Sequence, residues 1–390
     1  MRQTPLPYGK QWIDDADIAA VTDTLKSDFL TCGPKIAELE EKLKKITGAS
    51  YACTVNSATS ALHAACFAVG IGEGDEVIVT PFTFMASANC ILYVGAKPVF
   101  ADIDPETYNI SPDSVREKIS GRTKAVIAVD YAGEVADADS IRMICDEYKL
   151  VFIEDAAHAI GSRYKGRPCG SYADITCMSF HPVKTVTAGE GGALLTNNKA
   201  YAERAALFRS HGMEHDHEFI KYTGDKDDFG SWYYDQVFLG YNYRMTDISA
   251  ALLISQLDKL DKFSKFRKRL VKRYDEAFSE IPEIITQKSP EYSDATRHLY
   301  TIRLDLDRLS CTRKEFFEAM REENIYCQIH YIPVYYFSNY RKMGYEKGSC
   351  PTAEKVYSSI MSIPLFPKMT DEDQNDVIAA VKKLIERYKK

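Results

Sequence analysis

The 390-residue chain lacks the sequence features of several large classes of protein. No apolar run reaches the roughly 18 residues that mark a membrane-spanning helix, so we expect no contact with a membrane. Residues 1–10 contain no apolar stretch of the kind found in secretory signals, so we expect none. No basic run occurs, and 49 Lys and Arg against 56 Asp and Glu give a net charge of −7. This acidic balance argues against nucleic acid as the main partner.

The cysteines form neither a disulfide pattern nor a zinc pattern. The chain has ten, and none belongs to a C-x-x-C pair. Several lie inside apolar runs, as Cys53 does within residues 51–55. These features favour reduced, buried thiols in a cytoplasmic protein.

Residues 211–218 contain three histidines with acidic neighbours, which is a possible metal-binding pattern. The residues concerned are His211, Glu214, His215, Asp216, His217 and Glu218. A solvated, charged loop explains the same pattern, and we expect no metal.

Residues 51 to about 196 alternate between strand-like and helix-like segments. The candidate strands are short, apolar and rich in Val, Ile, Thr or aromatic residues; they are 51–55, 76–80, 98–101, 125–130, 151–155, 175–180 and 193–196. Helical patterns lie between them, at 60–68, 86–93 and 140–148. The alternation predicts an α/β fold with a mostly parallel central sheet and helices on both faces. Such sheets bind ligands at the carboxyl ends of their strands.

The remainder of the chain predicts a second, smaller domain. A polar loop covers 214–236, and 248–277 reads as one long amphipathic helix that links two lobes. A strand at 298–306, a helix at 313–323, a strand at 325–330 and a final helix at 371–388 follow. We therefore expect a large domain in 1–250, which includes an N-terminal substrate-site segment, and a linking helix with a small α+β domain in 251–390.

Three clusters of residues could carry chemistry, and each has an ordinary structural explanation as well. Residues 56–60 turn from a strand into a helix, which suits a phosphate but also suits simple N-capping. Asp155 ends a candidate strand, where a carboxylate needs a cation or caps a helix. Lys184 precedes a glycine-rich turn at 187–192. It is either a surface lysine or a desolvated amine able to form a Schiff base.

Together the three clusters form the set that a pyridoxal phosphate (PLP) enzyme needs. Lys184 would hold the cofactor as an imine, and Asp155 would keep the ring nitrogen protonated so that the ring accepts electrons. The helix N-terminus and Ser179 would hold the phosphate.

These residues lie within a sequence that resembles the DegT-type nucleotide-sugar aminotransferases. That resemblance implies the fold of aspartate aminotransferase, which is PLP fold type I. The matching stretches keep the family order and span nearly the whole chain: 56–62, 80–84, 129–133, 154–158, 179–192, 208–212 and 240–245.

The resemblance is strongest to the branch that acts in pseudaminic acid biosynthesis, through 129–133, 209–213, 297–300 and 327–335. It implies transfer of the amino group of L-glutamate to C-4 of a UDP-linked 4-keto-6-deoxy-N-acetylhexosamine. The alternatives are another nucleotide-keto-sugar, such as GDP-4-keto-6-deoxymannose or a 3-keto sugar, and a non-catalytic PLP-binding regulator. Family members that act as dehydratases carry His where this chain has Lys184, which disfavours that activity.

The resemblance also implies roles for individual residues in a cytoplasmic homodimer with shared active sites. Lys184, Asp155 and His158 would be catalytic, with His158 near the ring hydroxyl. The cofactor would contact Ala58, Thr59 and Ser179 through its phosphate, Phe84 through its ring face, and Asn242 from the neighbouring subunit. The substrate would contact Ser179 and Asn242 together with Tyr8, Asp28, Phe29, Leu30, Thr31, Gln328, Ile329, His330 and Tyr331.

Overall fold

The structure is a computed structural model that describes residues 2–216, 220 and 230–390. Its strands are β1 (Leu6–Pro7), β2 (Tyr51–Val55), β3 (Glu76–Val79), β4 (Lys97–Phe100), β5 (Thr123–Val129), β6 (Val151–Asp155), β7 (Arg163–Tyr164), β8 (Arg167–Pro168), β9 (Ile175–Ser179), β10 (Gly192–Thr196), β11 (Met213–Glu214), β12 (Asp235–Gln236), β13 (Ile284–Thr286), β14 (Ser293–Asp294), β15 (Tyr300–Leu304), β16 (Ile325–Tyr326) and β17 (Ile360–Ile363). Its α-helices are α1 (Asp15–Leu25), α2 (Pro34–Thr47), α3 (Ala58–Ala68), α4 (Ala86–Tyr93), α5 (Pro112–Lys118), α6 (Ala138–Tyr148), α7 (Lys199–Phe208), α8 (Asp247–Leu257), α9 (Leu260–Phe278), α10 (Arg313–Glu322), α11 (Ser338–Lys342), α12 (Pro351–Ser359) and α13 (Asp371–Tyr388).

Seven strands form the central sheet, in the order β2-β10-β9-β6-β5-β3-β4. Strand β10 runs antiparallel to both of its neighbours, and the other pairs are parallel. All seven predicted strands are present, with small changes at their ends. The reversed β10 lies between the edge strand β2 and β9, and the connection from β9 to β10 carries Lys184 at the carboxyl ends of β6 and β9.

The strands are buried on both faces, as a parallel sheet requires. Strand β5 shows this by alternation, because Ile127 packs in the core that contains α3 and α4, whereas Val126 packs with α6 on the opposite face. The predicted α/β architecture with helices on both faces is confirmed.

A second apolar core lies in the C-terminal part of the chain. It is built on the antiparallel sheet β13-β15-β17 and on side chains of α9, α10 and α13. The N-terminal strand β1 joins it by pairing with β16. Val334 and Tyr335, however, pack in the large core. The division of the chain at residue 250 therefore stays a prediction.

The structure corrects several details of the expected secondary structure. The predicted single helix over 248–277 is two helices, because α8 ends at Leu257 and α9 begins at Leu260. The strand predicted at 325–330 is shorter, because β16 covers only Ile325–Tyr326 and Gln328 forms an isolated bridge with Ser362. The predicted loop at 214–236 lies partly outside the described residues, but β11 and β12 pair at its two ends.

Three further expectations concern the cysteines, the possible metal ligands in 211–218 and a membrane-spanning helix. All ten cysteines are free, and eight of them are buried, as predicted. Of the six possible metal ligands in 211–218, His217 and Glu218 lie outside the described residues. Within the described part of the chain, we find no helix with the length and apolarity to span a bilayer.

Candidate active site

A cavity of about 430 Å³ opens at the carboxyl ends of the central strands. The residues after β2, the last residues of β5, β6 and β9, and two segments of the C-terminal part line it. Ten of the predicted site residues meet there: Tyr8, Ala58, Thr59, Phe84, Asp155, His158, Ser179, Lys184, His330 and Tyr331.

The N-terminus of α3 forms one end of the cavity. Ser57 is the N-cap, and its hydroxyl accepts a hydrogen bond from the backbone N–H of Ser60. Ala58 and Thr59 begin the helix, so their N–H groups have no partner within it and lie at the cavity wall. Gly192 lets β10 pack closely against this helix start, because a Cβ there would lie 2.4 Å from the carbonyl oxygen of Ser57. The cluster is thus both an N-cap and a ready anion site.

Asp155 ends β6 and is almost fully buried in the floor of the cavity. One carboxylate oxygen accepts a hydrogen bond of 2.6 Å from Ser87, and the other accepts one of 3.1 Å from the N–H of Ala157. Burial raises the pKa of Asp155, while Ser87, Ala157 and the ammonium of Lys184 oppose the rise. The carboxylate is therefore held in place and still has capacity for a cationic partner.

Ser87 was not identified from the sequence. It lies in the first turn of α4. Its hydroxyl lies 2.8 Å from that of Thr83 and donates a hydrogen bond to Asp155. Because α4 follows the carboxyl end of β3, Ser87 lies near the site. Ser87 and Asp155 are 68 residues apart, however, so no local sequence pattern connects them.

Lys184 lies in the connection that follows β9 and lines the same cavity as Asp155. Desolvation lowers its pKa to about 8, and the charge of Asp155 opposes that effect. A substantial fraction of the amine is therefore neutral near physiological pH, and only a neutral amine can act as a base or nucleophile.

His158 is held by two hydrogen bonds. The N–H of Ala132 donates to its Nδ1 at 3.1 Å, and its Nε2 lies 3.0 Å from the hydroxyl of Tyr331. Because Nδ1 accepts, the proton of the neutral ring is on Nε2, which donates to Tyr331. Burial, together with the charge of Lys184, holds the pKa of His158 well below its usual range.

These residues fit pyridoxal phosphate. Phe84 presents a side chain that is 56% exposed toward the cavity, which suits a ring face. The N-terminus of α3 and Ser179 offer donors for a phosphate, Asp155 offers a buried acceptor for a ring N–H, and Lys184 offers a reactive amine. The set matches the cofactor in charge and in hydrogen bonding.

Other predicted site residues are not at this cavity. Asp28, Phe29, Leu30 and Thr31 are exposed, and Thr31 forms a β-bridge with Thr246. Asn242 is also exposed and bridges Ser210. The backbone of Gln328 pairs with Ser362, and Ile329 packs against the C-terminal core. The roles of these residues stay predictions. The cavity also contains His298, His181 and Glu190, to which the sequence analysis gave no role.

Comparison with known proteins gives a consistent result. Residues 11–382 match the sequence profile of the DegT/DnrJ/EryC1/StrS aminotransferase family. The chain is 40% identical to the spore coat polysaccharide biosynthesis protein SpsC of Bacillus subtilis, over 97% of each chain. It is 38% identical to the UDP-4-amino-4,6-dideoxy-N-acetyl-beta-L-altrosamine transaminase of Campylobacter jejuni, over 99% of each.

A solved structure agrees in fold. The putative sugar aminotransferase Spr1654 of Streptococcus pneumoniae, in its PMP form, superposes with a TM-score of 0.91 and 32% identity, over 98% of this chain and 99% of that one. With the lysine, aspartate and helix N-terminus in one cavity, these matches are decisive. The chain belongs to the DegT/DnrJ/EryC1/StrS family and is a pyridoxal phosphate-dependent sugar aminotransferase.

Proposed function

We propose that the enzyme moves the amino group of L-glutamate to C-4 of a UDP-linked 4-keto-6-deoxy-N-acetylhexosamine, in pseudaminic acid biosynthesis. The observation that carries the reaction type is Lys184 opposite Asp155 in one enclosed cavity. The substrate is supported by the motifs at 209–213 and 327–335 and by the name of the Campylobacter relative.

The residues divide the work of the reaction. When bound, pyridoxal phosphate carries the amino group and delocalises the electron pair released from the substrate carbon. Lys184, with a pKa near 8, would move the proton released from the substrate. Asp155, whose two oxygens accept hydrogen bonds from Ser87 and Ala157, would accept from the ring nitrogen of the cofactor.

We assign His158 and Tyr331 a positioning role and no role in proton transfer. Their hydrogen bond joins the large lobe to the segment after β16 and closes one side of the cavity. The ring of His158 stays neutral, so it donates from Nε2 without adding charge near Lys184.

We also propose a homodimer with shared active sites. The segments 28–31 and 239–246 are joined by the Thr31–Thr246 bridge and by a bond from the N–H of Asp247 to Leu30. They expose large apolar side chains, with Phe29 at 52% and Leu239 at 73%. An exposed apolar face of this kind is typical of an interface. It would carry the predicted residues 28–31 and Asn242 toward the partner's cavity.

Mixed dimers test this arrangement. Lys184→Ala and Asn242→Ala variants are each expected to be inactive or strongly impaired. If Asn242 acts across the interface, mixing and re-equilibrating them restores about one quarter of the sites, because mixed dimers contain one unaltered site. Sedimentation establishes the dimer independently. Failure to recover activity in a confirmed mixed dimer would mean that Asn242 acts within its own chain.

We place the enzyme in the cytoplasm, with small-molecule substrates and a second copy of the chain as its partners. All ten cysteines are free thiols, and eight are buried, which suits a reducing compartment.

The first test is the absorption spectrum of the purified enzyme, before and after L-glutamate is added. We expect a visible band that gives way to a near-ultraviolet band, and neither in Lys184→Ala. Product mass and proton NMR with a panel of UDP- and GDP-keto-sugars then identify the acceptor. Amination of a GDP-sugar, or of a sugar at C-3, would replace the proposed substrate. A spectrum that no amino donor changes would contradict the reaction itself.

A further inference from the structure

Arg267 is a buried cation for which the described residues provide no acidic partner. It lies on α9 and is 1% exposed. Its Nη1 donates to three backbone carbonyls, those of Arg297, His298 and Leu365, at 3.1–3.2 Å. Its Nε has no hydrogen-bond partner among the described residues. An uncompensated guanidinium in a protein interior is costly, so its retention calls for a physical reason.

One of the three carbonyls that Arg267 binds belongs to a residue that lines the active-site cavity, and another belongs to a residue bonded to the lining. His298 lines the cavity, and the N–H of Leu365 donates to the carbonyl of Tyr8, which also lines it. Arg267 thus supports two lining residues from behind, one directly and one through Leu365. It reaches the cavity through these groups and does not line it.

This wall is electropositive. His158, His298 and His330 have lowered pKa values because of burial, and the charge of Lys184 adds to the effect at each. At His298 the charge of Arg267 contributes as well. The described lining residues include two carboxylates, those of Asp155 and Glu190, and Asp155 faces the sheet side. Neither carboxylate belongs to the segments of Tyr8, His298 and His330, so the opposite wall combines neutral histidines with the charge of Arg267 behind it.

The wall also holds an unused hydrogen-bonding group. His298 is buried, its ring centroid lies 4.6 Å from that of His158, and its Nδ1 has no partner among the described residues. A buried polar atom without a partner is expensive, and a ligand that supplies one recovers that cost.

From this geometry we propose that the wall formed by Tyr8, His298 and His330 binds the carboxylate of the amino-acid donor, with Arg267 as a positioning residue behind it. The inference rests on the proposed function and adds to it the place where the donor is selected. No arginine or second lysine lines the described cavity, so a carboxylate would be held by neutral donors in the field of a buried cation. The neutral sugar ring of the acceptor gains little from that field.

Arg267→Met and Arg267→Lys test the proposal, with Arg269→Met as the matched control. Arg269 lies on the same helix and is half exposed at the surface. Spectral titration of each holoenzyme with L-glutamate gives the donor dissociation constant. The KM for the keto-sugar is measured separately, after conversion to the amine form. We expect Arg267→Met to weaken the donor at least tenfold, to change the sugar KM less than threefold, and to be partly rescued by Arg267→Lys.

The possible outcomes separate the two proposals. Unchanged donor affinity in Arg267→Met, or equal losses for donor and sugar, would overturn the positioning role. A wild-type holoenzyme that reacts with none of glutamate, glutamine, aspartate and alanine would overturn both proposals together.

A measurement on the unaltered enzyme guards against a variant that does not fold. Glutarate carries the donor's carboxylates but no amino group, and its diamide carries neither charge. We expect glutarate to compete with L-glutamate at least tenfold better than the diamide does. Equal competition would contradict an electropositive carboxylate subsite, whatever the behaviour of the Arg267 variants.

Discussion

The two walls of the active-site cavity treat charge in opposite ways. On the sheet side, Asp155 is kept ionisable by two hydrogen bonds and by Lys184, and the N-terminus of α3 adds partial positive charge. On the other side, burial pushes His298 and His330 toward their neutral forms, and a cation, Arg267, lies behind the wall. The sheet-side wall thus suits an ionic cofactor. The opposite wall offers neutral hydrogen-bond donors to the amino-acid and sugar substrates that bind in turn.

The difference reflects how each wall is built. The sheet-side residues follow strand ends directly, so the backbone of the sheet fixes them. The opposite wall comes from β1, the start of β15 and the segment after β16, which meet through tertiary packing. Substitutions on the sheet side should therefore remove the chemistry, and those on the other side should change affinity and selectivity.

The largest effect is expected for Lys184→Ala. It removes the amine that moves the proton, and we expect kcat to fall about 10³-fold or more. Steady-state turnover and the glutamate half-reaction measure this. Lys199→Ala is the control, because Lys199 is a surface lysine that pairs with Glu203 at 3.4 Å. A Lys184→Ala enzyme with wild-type rates would refute the catalytic assignment.

Asp155→Asn should follow in size. The amide keeps the shape and a hydrogen-bond acceptor for Ser87, but it removes the charge that pairs with the cofactor ring. We expect a loss of about 10²-fold in kcat, since fixed electrostatic groups contribute at that level. Asp139→Asn, on the exposed surface, should leave turnover unchanged. Comparable rates in the two variants would show that the sheet-side wall does not depend on this charge.

The residues predicted from local sequence patterns lie on the sheet side, whereas Tyr8, His330 and Tyr331 of the other wall came from the family resemblance, for a physical reason. Lys184, Asp155 and the 56–60 turn each carry a local signal, because strand ends and helix starts are read from neighbouring residues. Ser87 and Arg267 carry none, since a serine in a helix and a lysine- and arginine-rich helix are ordinary until the partner is known. The break between α8 and α9 was missed because the gap at Asp258 and Lys259 contains neither Gly nor Pro, and apolar residues continue from the largely apolar α8 into the amphipathic α9.

The pH dependence of the rate tests the protonation of both walls in the unaltered enzyme. Lys184 must be neutral to accept a proton, so the rate should rise with pH and level off above its pKa of about 8. Between pH 6.5 and 8 the neutral fraction, and with it the rate of the proton-transfer step, increases about fifteenfold. Single-turnover rates across this range measure it. The histidines, already neutral, should add no further change between pH 5 and 7. A second step in that range would place a charged histidine in the opposite wall.

The smallest effect is expected for Tyr331→Phe. The substitution keeps the ring but removes the hydroxyl that accepts from Nε2 of His158, while the bond from Ala132 remains. Since one hydrogen bond contributes about 0.5–1.5 kcal/mol, we expect a threefold to tenfold rise in substrate KM with kcat nearly unchanged.

Tyr335→Phe is the matched control for that prediction. Tyr335 is also buried, but its hydroxyl donates to Glu354 at 2.7 Å, and it does not line the cavity. It should lower the melting temperature and leave KM unchanged. If Tyr331→Phe reduced kcat as strongly as Asp155→Asn, the wall assigned here to binding would instead act on the chemical step, through proton transfer or through the alignment of the reacting groups.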